Sequence, residues 1–170
     1  MSETTLDQVL TVRRVAHAEV VDVDEPTVKL VVFELGGQLF AFPGDRVREI
    51  LSDVEVFFVP GSPPFLEGVI NLRGDIESVL LLEGLLQLPE GTGTRASSIL
   101  LGRSRTMTSG IRVDRVVDVA DVPQGALLQP PATLPEQMRS LVRNVLQLGD
   151  RPVAVLDLDL IFDALTRGLG

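Results

Sequence analysis

Apolar and polar residues alternate in short runs along most of the chain, and glycine, proline and small polar clusters break the runs. That pattern predicts short β-strands joined by tight turns rather than a set of amphipathic helices. Over residues 28–35 apolar positions alternate and double, and Gly36-Gly37 marks a hairpin turn into residues 38–42. Residues 45–51, DRVREIL, are charged on one side and apolar at Val47, Ile50 and Leu51, which fits a short helical turn or a bent strand. Residues 54–59 read as a further strand. Pro60, Pro63 and Pro64 then fix φ and remove backbone donors, so the run before Phe65 cannot be central strand or helix. Residues 65–72 and 76–82 read as a hairpin around Arg73-Gly74-Asp75, and residues 83–88 as a short helix carrying Leu85, Leu86 and Leu88. The glycine-containing loop PEGTGTR at 89–95 is the best boundary in the chain.

Beyond that loop the plan repeats. Residues 97–102 and 107–113 flank a hairpin tip at 103–106, and DRVVDV at 114–119 matches DRVREI at 45–50 with a spacing of 69. Residues 141–148, the turn Gly149-Asp150, residues 152–156 and a C-terminal helix from about Leu158 mirror the first half's second hairpin and helix. Aligning Gly149 with Gly74 gives a spacing of 75, and the six extra residues fall in the proline-rich stretch 123–135. A duplicated unit covering 28–88 and 96–165 accounts for this; chance similarity between two β-rich halves is the alternative. About five short strands cannot bury both faces as an open sheet, and free edges invite aggregation, whereas a small barrel solves both problems. The expectation is a mainly β fold of two small five-stranded, SH3-like barrels packed together, with short helices including a C-terminal one. The split in sequence falls near 89–95, although a terminal strand or helix can cross between barrels.

Composition narrows the function. A chain of 170 residues, 45% hydrophobic, suits one domain or two small joined subdomains with a real core. Seven Phe, no Tyr, no Trp and a net charge of −9 argue against nucleic acid as a partner. No apolar run approaches a membrane span, and the first residues lack a signal peptide's basic and apolar regions, so a cytoplasmic protein without direct membrane insertion is expected. The absence of cysteine removes disulfides, thiolate metal sites and cysteine nucleophiles. Residues 1–26 carry −4 of the net charge and read as an acidic, mobile or weakly ordered tail, with a docking helix or extra strand as the alternative. The remainder, 27–170, is the folded domain.

Enzymatic chemistry finds no constellation. The single histidine, His17, lies in the tail, and neither a G-x-S-x-G elbow, a Walker A loop, a dinucleotide fingerprint nor a His/Cys metal pattern is present. Asp157, Asp159 and Asp163 fit the cap and exposed face of the last helix better than a cation site. No catalytic residue, cofactor or metal is expected.

Two segments carry a more specific signal. Val47, Glu49 and Ile50 form a V-x-E-I element, and after the proline turn Gly68, Val69, Asn71, Leu72, Arg73 and Gly74 form G-V-x-N-L-R-G. In this order and spacing they resemble the CheW family, over about residues 28–165. The resemblance implies two five-stranded barrels and a non-enzymatic adaptor in bacterial chemotaxis-type signalling. Such an adaptor couples the cytoplasmic tip of a methyl-accepting chemoreceptor to a CheA-like histidine kinase and is recruited to membrane receptor arrays. The kinase's regulatory domain resembles the family itself, which implies barrel-to-barrel contacts, with the receptor tip in the groove between the barrels. It further implies a partner-binding set of Val47, Glu49, Ile50, Gly68, Asn71 and Arg73. Alternatives are a paralogue or regulatory domain serving pili or gliding motility, or a small-ligand sensor with an inter-barrel pocket. The chain departs from the family at Leu81-Leu82, where the second copy keeps Asp157-Leu158, at Phe42-Pro43-Gly44 and at the bulky pair Phe57-Phe58.

Each of these residues also has an ordinary explanation. Arg73 is either a solvated arginine at a hairpin tip or a brace gripping Glu49 through its planar fork, which lysine cannot reproduce. Apolar residues such as Ile50 usually belong to the core, whereas Val47, between Arg46 and Arg48, is expected to face water. Gly68 either relieves crowding or lets a partner helix lie close. Asn71 and Arg73 share strand parity and leave one face if the strand runs regularly into the turn.

Overall fold

A computed structural model describes residues 25–89 and 97–167; the leader to residue 24, with His17, and most of the boundary loop lie outside them. The first hairpin joins β1 (Thr27–Leu35) to β2 (Gln38–Pro43) through Gly36 and Gly37. A single 3-10 turn, Gly44–Arg46, then feeds β3 (Val47–Ser52), so DRVREIL is a helical turn and a strand in succession. There follow β4 (Leu66–Leu72), β5 (Asp75–Leu80), β6 (Ser98–Arg103), β7 (Thr108–Val113) and β8 (Arg115–Pro123). The chain ends with a short helix α1 (Glu136–Arg139), β9 (Val142–Leu148), β10 (Arg151–Leu156) and the helix α2 (Leu158–Arg167).

The strands make two five-stranded sheets with one plan, ordered β8-β1-β2-β10-β9 and β3-β6-β7-β5-β4. Each has one parallel pair, β10 with β2 and β5 with β7, and otherwise antiparallel neighbours. In each, the chain leaving one edge strand pairs with the opposite edge at a single point, Leu128 with Val145 and Phe57 with Val69, which closes the sheet into a barrel. The sheet holding β1 is called barrel A and the other barrel B.

The equivalent strands β3 and β8 occupy the same edge, so DRVREI and DRVVDV stand in matching places. Each barrel nevertheless mixes the two sequence halves. Barrel A takes its hairpin β1–β2 from the first half and three strands from the second, and barrel B does the reverse. Not a terminal element but a whole hairpin crosses.

The apolar pattern explains why. Both faces of β1–β2 are apolar, because one face lines barrel A and the other meets barrel B. Leu30, Val32, Leu39 and Ala41 join Val153 and Val155 in the interior of barrel A. Val31, Phe33, Phe40 and Phe42 join Leu80, Leu100 and Ile111 of barrel B in a larger core between the barrels. Ile70, Val79 and Ile99 fill the smaller interior of barrel B. Helix α2 buries Leu158, Ile161, Phe162 and Leu165 in the shared core, one stripe at helical spacing. Asp157 caps it, its Oδ1 accepting the Leu160 N–H (3.1 Å), and Asp163 faces Arg167 one turn on.

Three expectations need correction. Residues 54–59 are not a strand; only Phe57 pairs, because the segment crosses the barrel seam instead of running along it. Residues 83–88 form turns rather than a helix, with Gln87 at a positive φ of 55° ending any helical path. The hairpin register places Gly149 opposite the position of Arg73, not Gly74, since both follow directly on the last strand residues Leu148 and Leu72.

Candidate partner-binding site

The seam of barrel B, where edge strands β3 and β4 face each other, gathers most of the residues singled out above. Glu49 lies on β3 and Arg73 directly follows β4. Arg73 Nη1 donates to Glu49 Oε1 at 3.0 Å and Nη2 donates to Oε2, a two-bond grip across the seam. Barrel B is thus closed twice, by backbone at Phe57–Val69 and by side chains at Glu49–Arg73. Arg73 and Gly74 both have left-handed backbone, with φ of 52° and 94°, and form a two-residue hairpin turn. Such turns favour Asn and Gly, so arginine at the first position is conformationally costly, and the grip on Glu49 offsets that cost. The Asn71 Oδ1 accepts the Gly74 N–H at 2.9 Å and fixes the turn.

The pair is accessible, Arg73 at 70% and Glu49 at 35% side-chain exposure. Its two hydrogen bonds hold the Glu49 carboxyl below its usual range, opposed by desolvation and helped by the Arg73 and Arg48 charges. The same bonds raise Arg73. The arrangement is a stiff, charge-paired brace rather than a reactive group. Among the described residues no group of three or more His, Asp or Glu is placed to hold a metal ion.

Val47 and Ile50 trade the places expected of them. Ile50 is 44% exposed, whereas Val47 is half-buried against the core between the barrels. A bulge at Arg48 is the reason for Ile50, and the nearness of the second barrel for Val47. Val47 stands opposite Gly102 and Ile50 opposite Leu100, so both share one face although they are three positions apart. Glu49 and Leu51 take the other face, opposite Leu101 and Ile99. Val47 sits at the barrel junction, and Ile50 lies farther along the strand, in the open.

Gly68 serves the chain itself. A Cβ there would lie 2.3 Å from the Phe57 carbonyl oxygen and 2.8 Å from Val56 Cγ1. The seam-crossing segment occupies the space, so Gly68 is buried and offers no bare backbone to a partner helix. Asn71 and Arg73 do not leave one face as a regular strand would allow, because the strand ends at Leu72 and Arg73 turns left-handed. Asn71 stands opposite Ile76, an apolar side chain 66% exposed at the tip, and Phe57 and Phe58 are exposed on the crossing segment.

Sequence reasoning missed Ile76 as a surface residue, although an apolar residue beside a two-residue turn is the available signal. It also missed the ion pair of Glu67 with Arg112, both bonds 2.7 Å, with Ser97 Oγ accepting a third at 2.9 Å. Those residues are distant in sequence and carry no local pattern. Barrel A repeats the apolar part of the seam. Val119 and Leu128 stand where barrel B has Ile50 and Phe57, and both are exposed. Gly149 stands where barrel B has Arg73, so that turn position supplies no guanidinium in barrel A.

A family model described as the CheW-like domain matches residues 29–166. The chain belongs to the CheW-like domain family. It is 28% identical over 134 residues to a probable chemotaxis protein CheW of Rhizobium etli, covering 79% of this chain and 86% of that one. It is also 28% identical to the chemotaxis protein CheW of Thermotoga maritima, covering 81% and 89%. A similar solved structure is the scaffolding protein TtCheW of Thermoanaerobacter tengcongensis, with a TM-score of 0.70, 26% identity and coverage of 78% and 90%. The matched residues, 29–166, span the strands of both barrels. No helix among the described residues is long and apolar enough to cross a membrane.

Proposed function

We propose that this chain is a non-enzymatic, cytoplasmic adaptor that binds a CheA-like histidine kinase and a chemoreceptor's cytoplasmic tip at once, within membrane receptor arrays. The observation that carries this is the Glu49–Arg73 clamp, which braces the seam of barrel B, around which Ile50, Phe57, Asn71 and Ile76 are each exposed. Apolar side chains set among charged and amide groups suit an interface of moderate size that must form and release. Relatives named as chemotaxis and scaffolding proteins support the same direction. The kinase's regulatory domain, as a barrel of the same type, would dock edge-on at a seam, and the receptor tip would lie in the groove between barrels. Val47 and Gly68 belong to the set indirectly, Val47 by seating β3 and Gly68 by seating the crossing segment.

An affinity pull-down from the native cell tests this: a histidine kinase and a chemoreceptor are the expected captures, and their identity assigns a flagellar, pilus or gliding pathway. Recovery of neither, with a folded bait, contradicts the proposal. An apolar pocket of ≈180 Å³ between barrel B and α2, walled by Phe65, Leu80, Met107, Phe162 and Leu165, favours a second function as a small-ligand sensor. A thermal-shift screen with small apolar compounds separates the two.

A further inference from the structure

Asp159, the second residue of α2, holds three contacts to barrel B. Its Oδ1 accepts the Arg105 backbone N–H at 2.8 Å, and its Oδ2 lies 3.7 Å from Arg105 Nε and 3.5 Å from Arg46 Nη2. Arg105 is the tip of the β6–β7 hairpin, and Arg46 ends the 3-10 turn directly before Val47. One carboxylate therefore joins the start of β3 and the tip of the β6–β7 hairpin beside it to the helix that fills the core between the barrels.

The packing beneath follows the same line. Gly102 on β6 stands opposite Val47, and a Cβ at Gly102 would lie 3.2 Å from Leu158 Cδ1, so the strand backbone rests directly on the first helical residue. Val47 packs against the same core as Leu158. The position of β3 is thereby set by the first turn of α2, through side-chain packing at Val47 and Gly102 and through charge at Arg46 and Asp159.

We propose that Asp159 is a positioning residue for the partner-binding face: it fixes β3 relative to α2, so that Glu49 and Ile50 are held in register with Arg73 across the seam. This rests on the adaptor function proposed above. In this role Asp159 acts through Arg46 and Arg105 rather than by contact of its own with the partner. A rigid face binds at lower entropic cost than one that must be ordered on contact, so releasing β3 lowers affinity without removing any contacting group.

The experiment uses the full chain and the regulatory domain of the histidine kinase from the same cell. Asp159→Ala removes all three contacts, Asp159→Asn keeps an oxygen for the Arg105 N–H and drops both ion pairs, and Arg46→Gln drops only the link to β3. Affinity is expected to fall roughly 3- to 30-fold for Asp159→Ala and less for the other two. Arg46→Gln with Asp159→Asn should cost less than their separate effects combined. Amide exchange should quicken at residues 46–50 and 104–107 while β9 and β10 stay protected, a local signature that general destabilisation would not give. Arg73→Lys serves as the reference. If Arg73→Lys weakens binding and Asp159→Ala does not, the positioning role is overturned and the adaptor face stands. If neither weakens binding to a folded protein, both are overturned.

Discussion

Replacing Gly68 by alanine tests how barrel B closes. The added Cβ would meet the Phe57 carbonyl oxygen at 2.3 Å and Val56 Cγ1 at 2.8 Å, and the nearer obstacle is backbone that cannot rotate away. The crossing segment must shift, and with it the two hydrogen bonds that join Phe57 to Val69, at 2.8 and 2.9 Å. Losing or bending two such bonds costs about 1 kcal/mol each, and overpacking adds about 1–3 kcal/mol, giving a total of about 2–4 kcal/mol once partial relaxation is allowed. In a chain of this size that lowers the melting temperature by roughly 5–15 °C. Gly84→Ala is the matched control, because nothing lies within 4 Å of its added Cβ. It should change stability by no more than about 0.5 kcal/mol. Urea unfolding of both variants against wild type supplies the numbers. A Gly68→Ala protein as stable as wild type but impaired in partner binding would refute self-closure and restore Gly68 as a place of partner approach.

Two further outcomes follow from the core and the clamp. Phe162→Ala should cost about 3–5 kcal/mol and lower one cooperative transition, because Phe162 sits in the core shared by both barrels; calorimetry showing two separated transitions would contradict that coupling. The Glu49 carboxyl should titrate below 4.5 by carboxyl-carbon NMR and return toward that value in Arg73→Gln, since Arg73's hydrogen bonds are the main cause of the shift. The sign is that of a depressed acid: the clamp's contribution is fully present above the unfolded glutamate pKa and is lost as pH falls through the lower folded value. An unchanged midpoint in the variant would dismiss the clamp in solution.

Strands and turns were legible because alternation and punctuation are local properties. The pairing of β1–β2 with the far half was not, since a run apolar on both faces announces double burial without naming what covers each face. Glu49 with Arg73 was legible because two short motifs named both ends of the contact. Ile50 was misplaced because one extra residue at Arg48 shifts every later side chain to the other face, and Val47 because no residue type shows that its face meets the second barrel. The strand expected at 54–59 failed for a related reason: its β-branched and aromatic residues suit pairing, but the chain crosses the seam and pairs only at Phe57. Glu67 with Arg112 joins strands that are not even neighbours in their sheet, which no sequence spacing encodes.

Ile50→Asp is the most direct test of the partner-binding face. Val47→Asp would place a charge against the core and disturb folding as well as binding, whereas Ile50 is exposed and its loss leaves the core intact. Isothermal titration of folded Ile50→Asp against the kinase regulatory domain and the receptor tip, each separately, gives the result. A charge desolvated in the interface should cost about 1–3 kcal/mol, roughly a 5- to 150-fold loss of affinity for one partner, with the melting temperature unchanged. Wild-type affinity for both partners would contradict placing either of them on the seam of barrel B.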